Sequence, residues 1–335
     1  MHHRPITSST KNLRRIAVLT SGGETPGMNS AIRSVVRTAS TLNIEVVGIN
    51  RGYCGLLQQD FTPLSALSVS QIIQGGGSIL RCGSCQDFYQ QELRSLAGNI
   101  LIEHQIEALI VVGGYGSLIG AKRLAEETGT CVVGIPGTIE NDIPGCEDSI
   151  GFDTATNTAV EAIDKLQDTA FSHQRLFLVE VAGNDSGFVA AEVALSVGAE
   201  LVIVPEHPID IINVAEQLVN THRNGLPGNR MVVLAEGSAQ PKLMQLLVST
   251  LKSLGEDPRI CVLGHIQRGG APTAHDRSLA ASLGNAAVHL LAAGGDQSIL
   301  ALQNNKIVHL SFNAITDRTK PLPIESIELI QQLGR

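Results

Sequence analysis

The chain contains no tryptophan and no uncharged apolar run long enough to cross a bilayer, so no membrane partner is expected. Its opening residues, MHHRPITSSTKNLRR, carry no apolar segment behind their basic ones, which argues against a secretory leader; residues 1–13 are expected to form a short disordered arm. Blocks of Lys and Arg are also missing, and a formal net charge of −8 repels polyanions. Nucleic acid is thereby excluded as a partner, and an anionic ligand must meet cations placed locally. Six cysteines in a chain without a leader favour reduced thiols and a cytoplasmic location. Cys82 and Cys85, in CGSC, have redox-motif spacing but no thioredoxin-like strand and helix around them, so both thiols are expected to be free.

What is present is the composition of a compact α/β enzyme, with 43% hydrophobic residues and 34 glycines in a chain long enough for two domains. Apolar runs with strand character recur: RIAVLT, IEVVGIN, ALIVVGG, CVVGIPG, RLFLVEVAG, LVIVPE, MVVLAEG, ICVLGH and SILAL. Between them lie stretches with helical spacing, such as Ala155, Ala159, Ile163, Leu166 and Ala170. Strands apolar on both faces that alternate with helices predict a mostly parallel sheet covered on two sides. Ligands collect at the carboxyl ends of such strands.

Four strand ends gather glycine and polar residues. Gly22 and Gly23 end a strand before Pro26 opens a helix, an anion-binding turn or simply a turn. IVVGGYGSLIGAKRL is a second strand, glycine turn and helix start, with Tyr115 in its middle. Thr138, Glu140, Asn141 and Asp142 put paired carboxylates beside a hydroxyl, which suits a general base next to a metal ligand and equally suits an Asx turn. His265 and Arg268 precede a glycine pair, a cationic edge for a phosphate or a solvated loop. Together the four describe a phosphoryl-transfer site.

In order and near-matching spacing, AVLTSGGETPGMNSAIRSVVR, GGYGSLIGAKRL, GIPGTIENDIPG, SIGFDTATNTAVEAIDKLQDTAFSHQR, VLGHIQRGGAPTAHDR and LQNNKIV resemble the bacterial-type 6-phosphofructokinase family. The resemblance runs from about residue 14 to about 320. It implies two doubly wound three-layer α/β domains with mostly parallel sheets, with 14–151 plus 267–320 on the nucleotide side and 152–266 plus 321–335 on the sugar-phosphate side. It implies transfer of the ATP γ-phosphoryl group to O1 of fructose 6-phosphate in glycolysis, with Mg²⁺. Thr138, Arg175, Gly183, Glu236, Arg259, His265 and Arg268 match sugar-phosphate positions, of which Arg175 and Arg259 come from a neighbouring subunit in a homotetramer. Gly22, Gly23, Tyr53, Gly114, Gly116, Ser117 and Gly120 match the nucleotide side. Thr138, Glu140 and Asp142 are the catalytic group, with Asp142 also the metal ligand. Arg33, Arg37 and Glu200 match effector positions, although Gln167 replaces an Arg and NGLPGNR lacks the usual lysines.

The departures cluster around one reacting group. Tyr115 stands where the family's GGDGS has its Mg²⁺-binding Asp, and Glu140 where TIDND has its base. Ser84 and Asn184 each replace a phosphate-facing Arg. Gly116 and Gly137 match the ATP-using branch, whereas the diphosphate-using branch has Asp and Lys there. Two readings follow: a working ATP-dependent kinase with altered donor chemistry, or a degenerate paralogue that binds fructose 6-phosphate as a sensor or regulatory subunit, hetero-oligomeric with an active paralogue.

Overall fold

Where apolar residues occupy both faces of a run, the chain forms central parallel strands. The structure, a computed structural model, describes residues 13–223, 230–238, 243–315 and 320–334. Residues 1–12 of the expected arm and 224–229 of NGLPGNR lie outside the described residues. The strands are β1 (Arg15–Ser21), β2 (Glu45–Ile49), β3 (Phe61–Leu64), β4 (Ala108–Gly113), β5 (Cys131–Pro136), β6 (Phe177–Val181), β7 (Leu201–Ile203), β8 (Met231–Ala235), β9 (Arg259–Val262), β10 (Ser298–Gln303) and β11 (Lys306–Ser311). The helices are α1 (Met28–Thr41), α2 (Gly52–Leu57), α3 (Gln91–Glu103), α4 (Tyr115–Thr128), α5 (Phe152–His173), α6 (Phe188–Ser196), α7 (Ile211–Arg223), α8 (Leu243–Ser253), α9 (Ala274–Ala292) and α10 (Ile324–Leu333). Among the described residues no helix is long and apolar enough to cross a membrane.

The chain divides into two units. The first comprises the chain up to Thr138, Ile143–Gly151 and Arg268–Thr319; the second comprises Ile139–Asp142, Phe152–Gln267 and Lys320–Arg335. This differs from the expected division chiefly at Ile139–Asp142. Ile139 is 1% exposed and packs with Ala155 and Ala182, so burial draws the segment into the second unit.

The first unit holds a seven-stranded sheet in the order β11-β10-β5-β4-β1-β2-β3. Its interior pairs are parallel, with Ile16 in register with Val46 on one side and Ala108 on the other. β1 and β4 are buried along nearly their whole length, because apolar side chains meet helices on both faces. One face packs Val18, Ile110 and Val112 against Ile32, Val35, Leu283 and Val288 of α1 and α9; the other packs Leu19, Leu109 and Val111 against Leu101, Leu118 and Leu124 of α3 and α4. The chain leaves β1 toward β2 and leaves β4 toward β5, in opposite directions, so strand order reverses between β1 and β4. Ligand sites of open α/β sheets form at such a reversal.

The second unit has a four-stranded parallel sheet in the order β7-β8-β6-β9. Val179, Val181 and Val233 pack on Ile163, Val189, Val193 and Ile330 of α5, α6 and α10, while Leu178, Val232 and Leu234 pack on Leu218 and Leu247 of α7 and α8. Each unit is thus a three-layer, doubly wound α/β structure.

Two strands have no counterpart in the apolar runs of the sequence. β3 and β11 are antiparallel edge strands, half-exposed to exposed along their length, and β3 contains Pro63. Their signal is weak because only one side of each is paired and little of either is buried. The β10–β11 turn is made by Asn304 and Asn305, both left-handed at φ 49° and 58°, as a two-residue hairpin requires. Pro26 does not open α1: Gly27, at φ 109°, stands between it and Met28, and a side chain there would meet Ile150.

One ion pair of a buried arginine fixes a loop that bears on the site. Arg94, 5% exposed, donates to both carboxylate oxygens of Glu127 at 2.7 and 2.6 Å and to the Phe88 carbonyl at 2.8 Å. Replacing Arg94 by Ala strands that carboxylate and carbonyl, and is expected to lower stability by about 3 kcal/mol in urea unfolding.

Candidate active site

At the carboxyl edge of the first sheet, glycine is dictated by closeness. A Cβ on Gly113, the last residue of β4, would lie 2.6 Å from the Ser21 carbonyl and 2.7 Å from the Ser117 Cβ. Gly22 follows Ser21 at φ 85°, the left-handed region that glycine enters without strain, and its missing side chain faces the Ser117 hydroxyl. Gly23 is exposed, and the Arg268 guanidinium lies within 2.6 Å of where its Cβ would be. A cation therefore rests directly on the first glycine turn.

The second turn begins α4. Gly114 is its N-cap, no side chain caps it, and Leu118 N–H makes the first helical bond, to the Gly114 carbonyl at 3.1 Å. The N–H groups of Tyr115, Gly116 and Ser117 thus precede the helical ladder, and with the helix dipole they favour an anion. Gly116 is open: nothing lies within 4 Å of an added Cβ. Gly137 is not, since a Cβ there would sit 3.0 Å from Val112 and 3.4 Å from Met28; its small size serves packing rather than ligand room. Thr138 closes this edge, 3.5 Å from an added Gly114 Cβ, its carbonyl accepting from the Ser149 hydroxyl at 2.8 Å.

Tyr115 is half-buried and packs against the apolar cluster containing Leu118 and Phe88, so it brings an aromatic ring and no carboxylate. Two residues expected on the nucleotide side also have partners inside the fold. Tyr53 is 4% exposed, stacks on Phe88 with ring centroids 3.9 Å apart, and donates its hydroxyl to the Ser117 carbonyl at 2.6 Å. Burial pushes its phenol far above the ordinary range. Gly120 makes room for those two rings, 3.3 and 3.5 Å from its missing Cβ. Both residues help set the position of α4.

In the second unit, Glu140 and Asp142 follow the buried Ile139. Ser186 donates to the Glu140 carbonyl at 3.0 Å, tying this segment to the loop after β6. Asn141 turns the chain at φ 51°. Asp142 Oδ1 is buried without a hydrogen-bond partner. Burial pushes the Asp142 carboxyl above its ordinary range, opposed by its own backbone N–H and by Lys320, and reinforced by Asp185. Gly183, at φ 144°, would clash with the Ser186 carbonyl if it bore a side chain. Asn184 is exposed and lies 3.4 Å from Asp185 Oδ2. Glu236 is exposed just past β8; Glu180, on the neighbouring strand, has its carboxyl pushed up by burial and then by Glu236.

The remaining cations of this unit are divided. His265 is exposed past the carboxyl end of β9, on the same edge as Gly183 and Glu236. Arg175 and Arg259 are at the amino ends: Phe177 is in register with Arg259, whose N–H donates to the Leu176 carbonyl at 2.8 Å. A five-residue strand, roughly 16 Å, separates the two edges. Within one chain Arg175 and Arg259 do not reach the other sugar-phosphate residues of this unit.

At the expected effector positions, Arg37 is exposed and Arg33 half-buried on α1, Arg33 Nε being buried without a partner. Glu200 is 8% exposed and engaged by the equally buried His222 at 3.0 Å, so within this chain its carboxylate has an internal partner. Gln167 donates to the Val197 carbonyl at 2.8 Å, at the end of α6. The expectation of free thiols fails at Cys85, which is disulfide-bonded to Cys54; Cys82 is free.

The phosphofructokinase family model matches residues 15–291. The chain is 45% identical over 322 residues, 96% of its length and 100% of the relative's, to the ATP-dependent 6-phosphofructokinase 1 of Thermus thermophilus. The chain belongs to the phosphofructokinase family. A solved structure of Saccharomyces cerevisiae phosphofructokinase superposes with a TM-score of 0.82 at 30% identity, over 95% of this chain and 46% of the yeast chain, so this chain spans under half of that one. The pyrophosphate-dependent phosphofructokinase of Marinobacter aquaeolei superposes with a TM-score of 0.81 at 22% identity, over 96% and 92% of the two chains. The phosphofructokinase fold therefore holds proteins named for two different donors, and donor choice must be argued from side chains.

Among the described residues there is no cluster of three or more His, Cys, Asp or Glu side chains able to hold a metal. A Mg²⁺ ion needs no such cage: one carboxylate with water and substrate phosphates suffices. The unpartnered oxygen of Asp142 fits that demand, whereas the phenol of Tyr115 does not. Lys320 and Asp185, which bear on Asp142, carried no sequence signal, being remote in the chain from the motif they serve.

A carboxylate whose burial outweighs its favourable neighbours destabilises the fold when ionised. Because the Asp142 pKa is raised in the folded chain, its ionised form opposes folding above that pKa, and the penalty vanishes as pH falls below the unfolded value. In metal-free buffer, Asp142→Asn is expected to be more stable than the parent at pH ~7, the difference shrinking toward the ordinary carboxylate range, as thermal unfolding across pH will read.

Proposed function

We propose that the chain transfers the γ-phosphoryl group of ATP to O1 of fructose 6-phosphate, with a donor side altered from that of the family. The observation that carries this reading is the uncapped start of α4 beside Gly22 and Gly23, at the strand-order reversal, with Arg268 on the turn and open space at Gly116. Uncapped N–H groups and a guanidinium suit phosphates, and the space at Gly116 suits the remainder of a nucleotide. That the relatives named above include an ATP-dependent 6-phosphofructokinase supports ATP as the donor.

In this reading Glu140 accepts the proton of the O1 hydroxyl while that oxygen attacks the γ-phosphorus. The bond from the γ-phosphorus to its bridging oxygen breaks, and ADP leaves. The N–H groups at α4 stabilise charge on the transferring group. Mg²⁺, held by Asp142 and the donor's phosphates, would supply further neutralisation. Glu236 accepts from sugar hydroxyls, and His265 and Arg268 neutralise the 6-phosphate. Arg175 and Arg259 at the amino ends of their strands support a clamp completed by a neighbouring copy, and hence a homotetramer.

Tyr115, packed on the apolar cluster, favours a second reading in which the donor side has decayed and the chain senses fructose 6-phosphate. A coupled assay with ATP and diphosphate, paired with calorimetric titration of fructose 6-phosphate, separates the two. Turnover with ATP supports the kinase; sugar-phosphate binding without turnover by any donor rejects it.

Two variants sharpen this. Arg268→Ala is expected to weaken fructose 6-phosphate by about 2 kcal/mol, the range of a charge-assisted bond, and an unchanged titration would put the sugar phosphate elsewhere. Tyr115→Asp combined with Glu140→Asp restores a carboxylate and shortens the base by one methylene. It is expected to raise kcat by about 10²-fold, and a fall in kcat instead would mean that Tyr115 belongs to a working, differently organised donor side.

A further inference from the structure

The Cys54–Cys85 disulfide joins the two segments that govern the first glycine turn. Cys54 lies on α2 next to Tyr53, whose hydroxyl holds the Ser117 carbonyl, and Cys85 ends the loop of residues 81–85. That loop is pinned at its other end, where the Thr20 hydroxyl donates to the Arg81 carbonyl at 2.8 Å. Between the two anchors the Gly83 carbonyl accepts the Gly22 N–H at 3.3 Å. Gly22 is the residue whose N–H would be offered to a phosphate at this turn. Nothing lies within 4 Å of an added Cβ on Gly83, and Ser84 is exposed, so the stretch between the half-buried Cys82 and the buried Cys85 has little packing of its own.

We propose that Cys54–Cys85 is a redox-modification site, with a dithiol as its reductant, whose oxidised form holds the Gly83 carbonyl over the Gly22 N–H and so competes with phosphate for the turn. The inference rests on the reading above that the donor's phosphates use this edge. Cys85 is 8% exposed and Cys54 half-buried, so the reductant's thiolate attacks the Cys54 sulfur and Cys85 leaves as thiolate. The second thiol of the reductant then attacks its own sulfur in the mixed disulfide and frees Cys54. Two electrons pass to the protein, and the dithiol becomes a cyclic disulfide. The freed Cys54 thiol has the Ser84 carbonyl as an acceptor, 3.9 Å away. Oxidation runs in reverse, with oxidised glutathione as the electron acceptor. Cys82 does not compete: its sulfur lies 3.5 Å from that of Met28, and burial pushes its thiol pKa up, which keeps the thiolate scarce.

The test uses the full chain, oxidised with glutathione disulfide or reduced with dithiothreitol. Thiol alkylation with peptide mapping fixes the state of each cysteine, calorimetry measures ATP in the presence of Mg²⁺, and amide exchange is followed at Gly22. Reduction is expected to tighten ATP by about tenfold, near the net worth of one hydrogen bond to a charged group, and to speed exchange at Gly22. Cys54→Ser and Cys85→Ser are expected to behave as the reduced chain under both treatments, and Cys82→Ser to respond as the parent does. Alkylation of both Cys54 and Cys85 after oxidation overturns the proposal, as does equal ATP affinity in two verified redox states. If ATP binds in neither state, the donor reading fails by itself, and exchange at Gly22 decides the switch: faster on reduction sustains it, unchanged rejects it.

Discussion

The first unit is organised around the approach of β1 to β4 at their carboxyl ends. The two strands pair in parallel from Ile16 with Ala108 to Ser21 with Gly113, and at the last pair the backbones come so close that Gly113 has no space for a methyl group. Parallel pairing with order reversing at that point sends the following segments away in opposite directions, leaving a gap above the strand ends. Into it turn the backbone of Gly22 and Gly23 and the first N–H groups of α4. The electrostatics of the edge are a consequence of topology plus glycine, to which the Arg268 guanidinium adds a full positive charge. With a net charge of −8 on the whole chain, backbone donors and a guanidinium at this edge act at short range, while the diffuse negative charge is screened.

The fold was legible because its central strands are buried on both faces and so read as unbroken apolar runs. The edges were not: β3 and β11 expose much of their surface, and a strand that buries little leaves little in the sequence. The glycine turns were legible for a similar reason, since a backbone that must approach another backbone admits no other residue. What motif matching could not supply was direction. Tyr53 and Gly120 sit in motifs of the nucleotide side, yet the tyrosine hydroxyl points at the Ser117 carbonyl and the glycine accommodates the ring. Glu200 is an equally clear case, its carboxylate taken by a histidine 22 positions along the chain. The Cys54–Cys85 bond was hidden by the more conspicuous CGSC, because spacing along the chain says nothing about which sulfur a loop brings near.

The second unit shows that residues of one motif set can lie on opposite edges of one sheet. Gly183 and Glu236 are fixed at the carboxyl edge by backbone contacts, the Glu236 N–H donating to the Val181 carbonyl at 2.9 Å and the Gly237 N–H to the Gly183 carbonyl at 2.8 Å. Arg259 is fixed at the amino edge by the first rung of the β6–β9 ladder, and Arg175 lies just before β6, its N–H donating to the Ala170 carbonyl at 3.1 Å. Sequence order alone would let all four be imagined around one ligand; parallel topology forbids it within a single chain.

The same reasoning orders the departures from the family pattern by how reversible each is. Asn184 is exposed and its side-chain amide lies against the adjacent Asp185, so little packing depends on that side chain. Tyr115 is different, because its ring has joined an apolar cluster, and returning a carboxylate there removes packing as well as adding charge. Asp142 retains the opposite condition, a buried carboxylate oxygen with no partner in the chain. The two positions therefore differ in kind: at Tyr115 the side chain is held by apolar packing, whereas at Asp142 burial works against the charged form of the group.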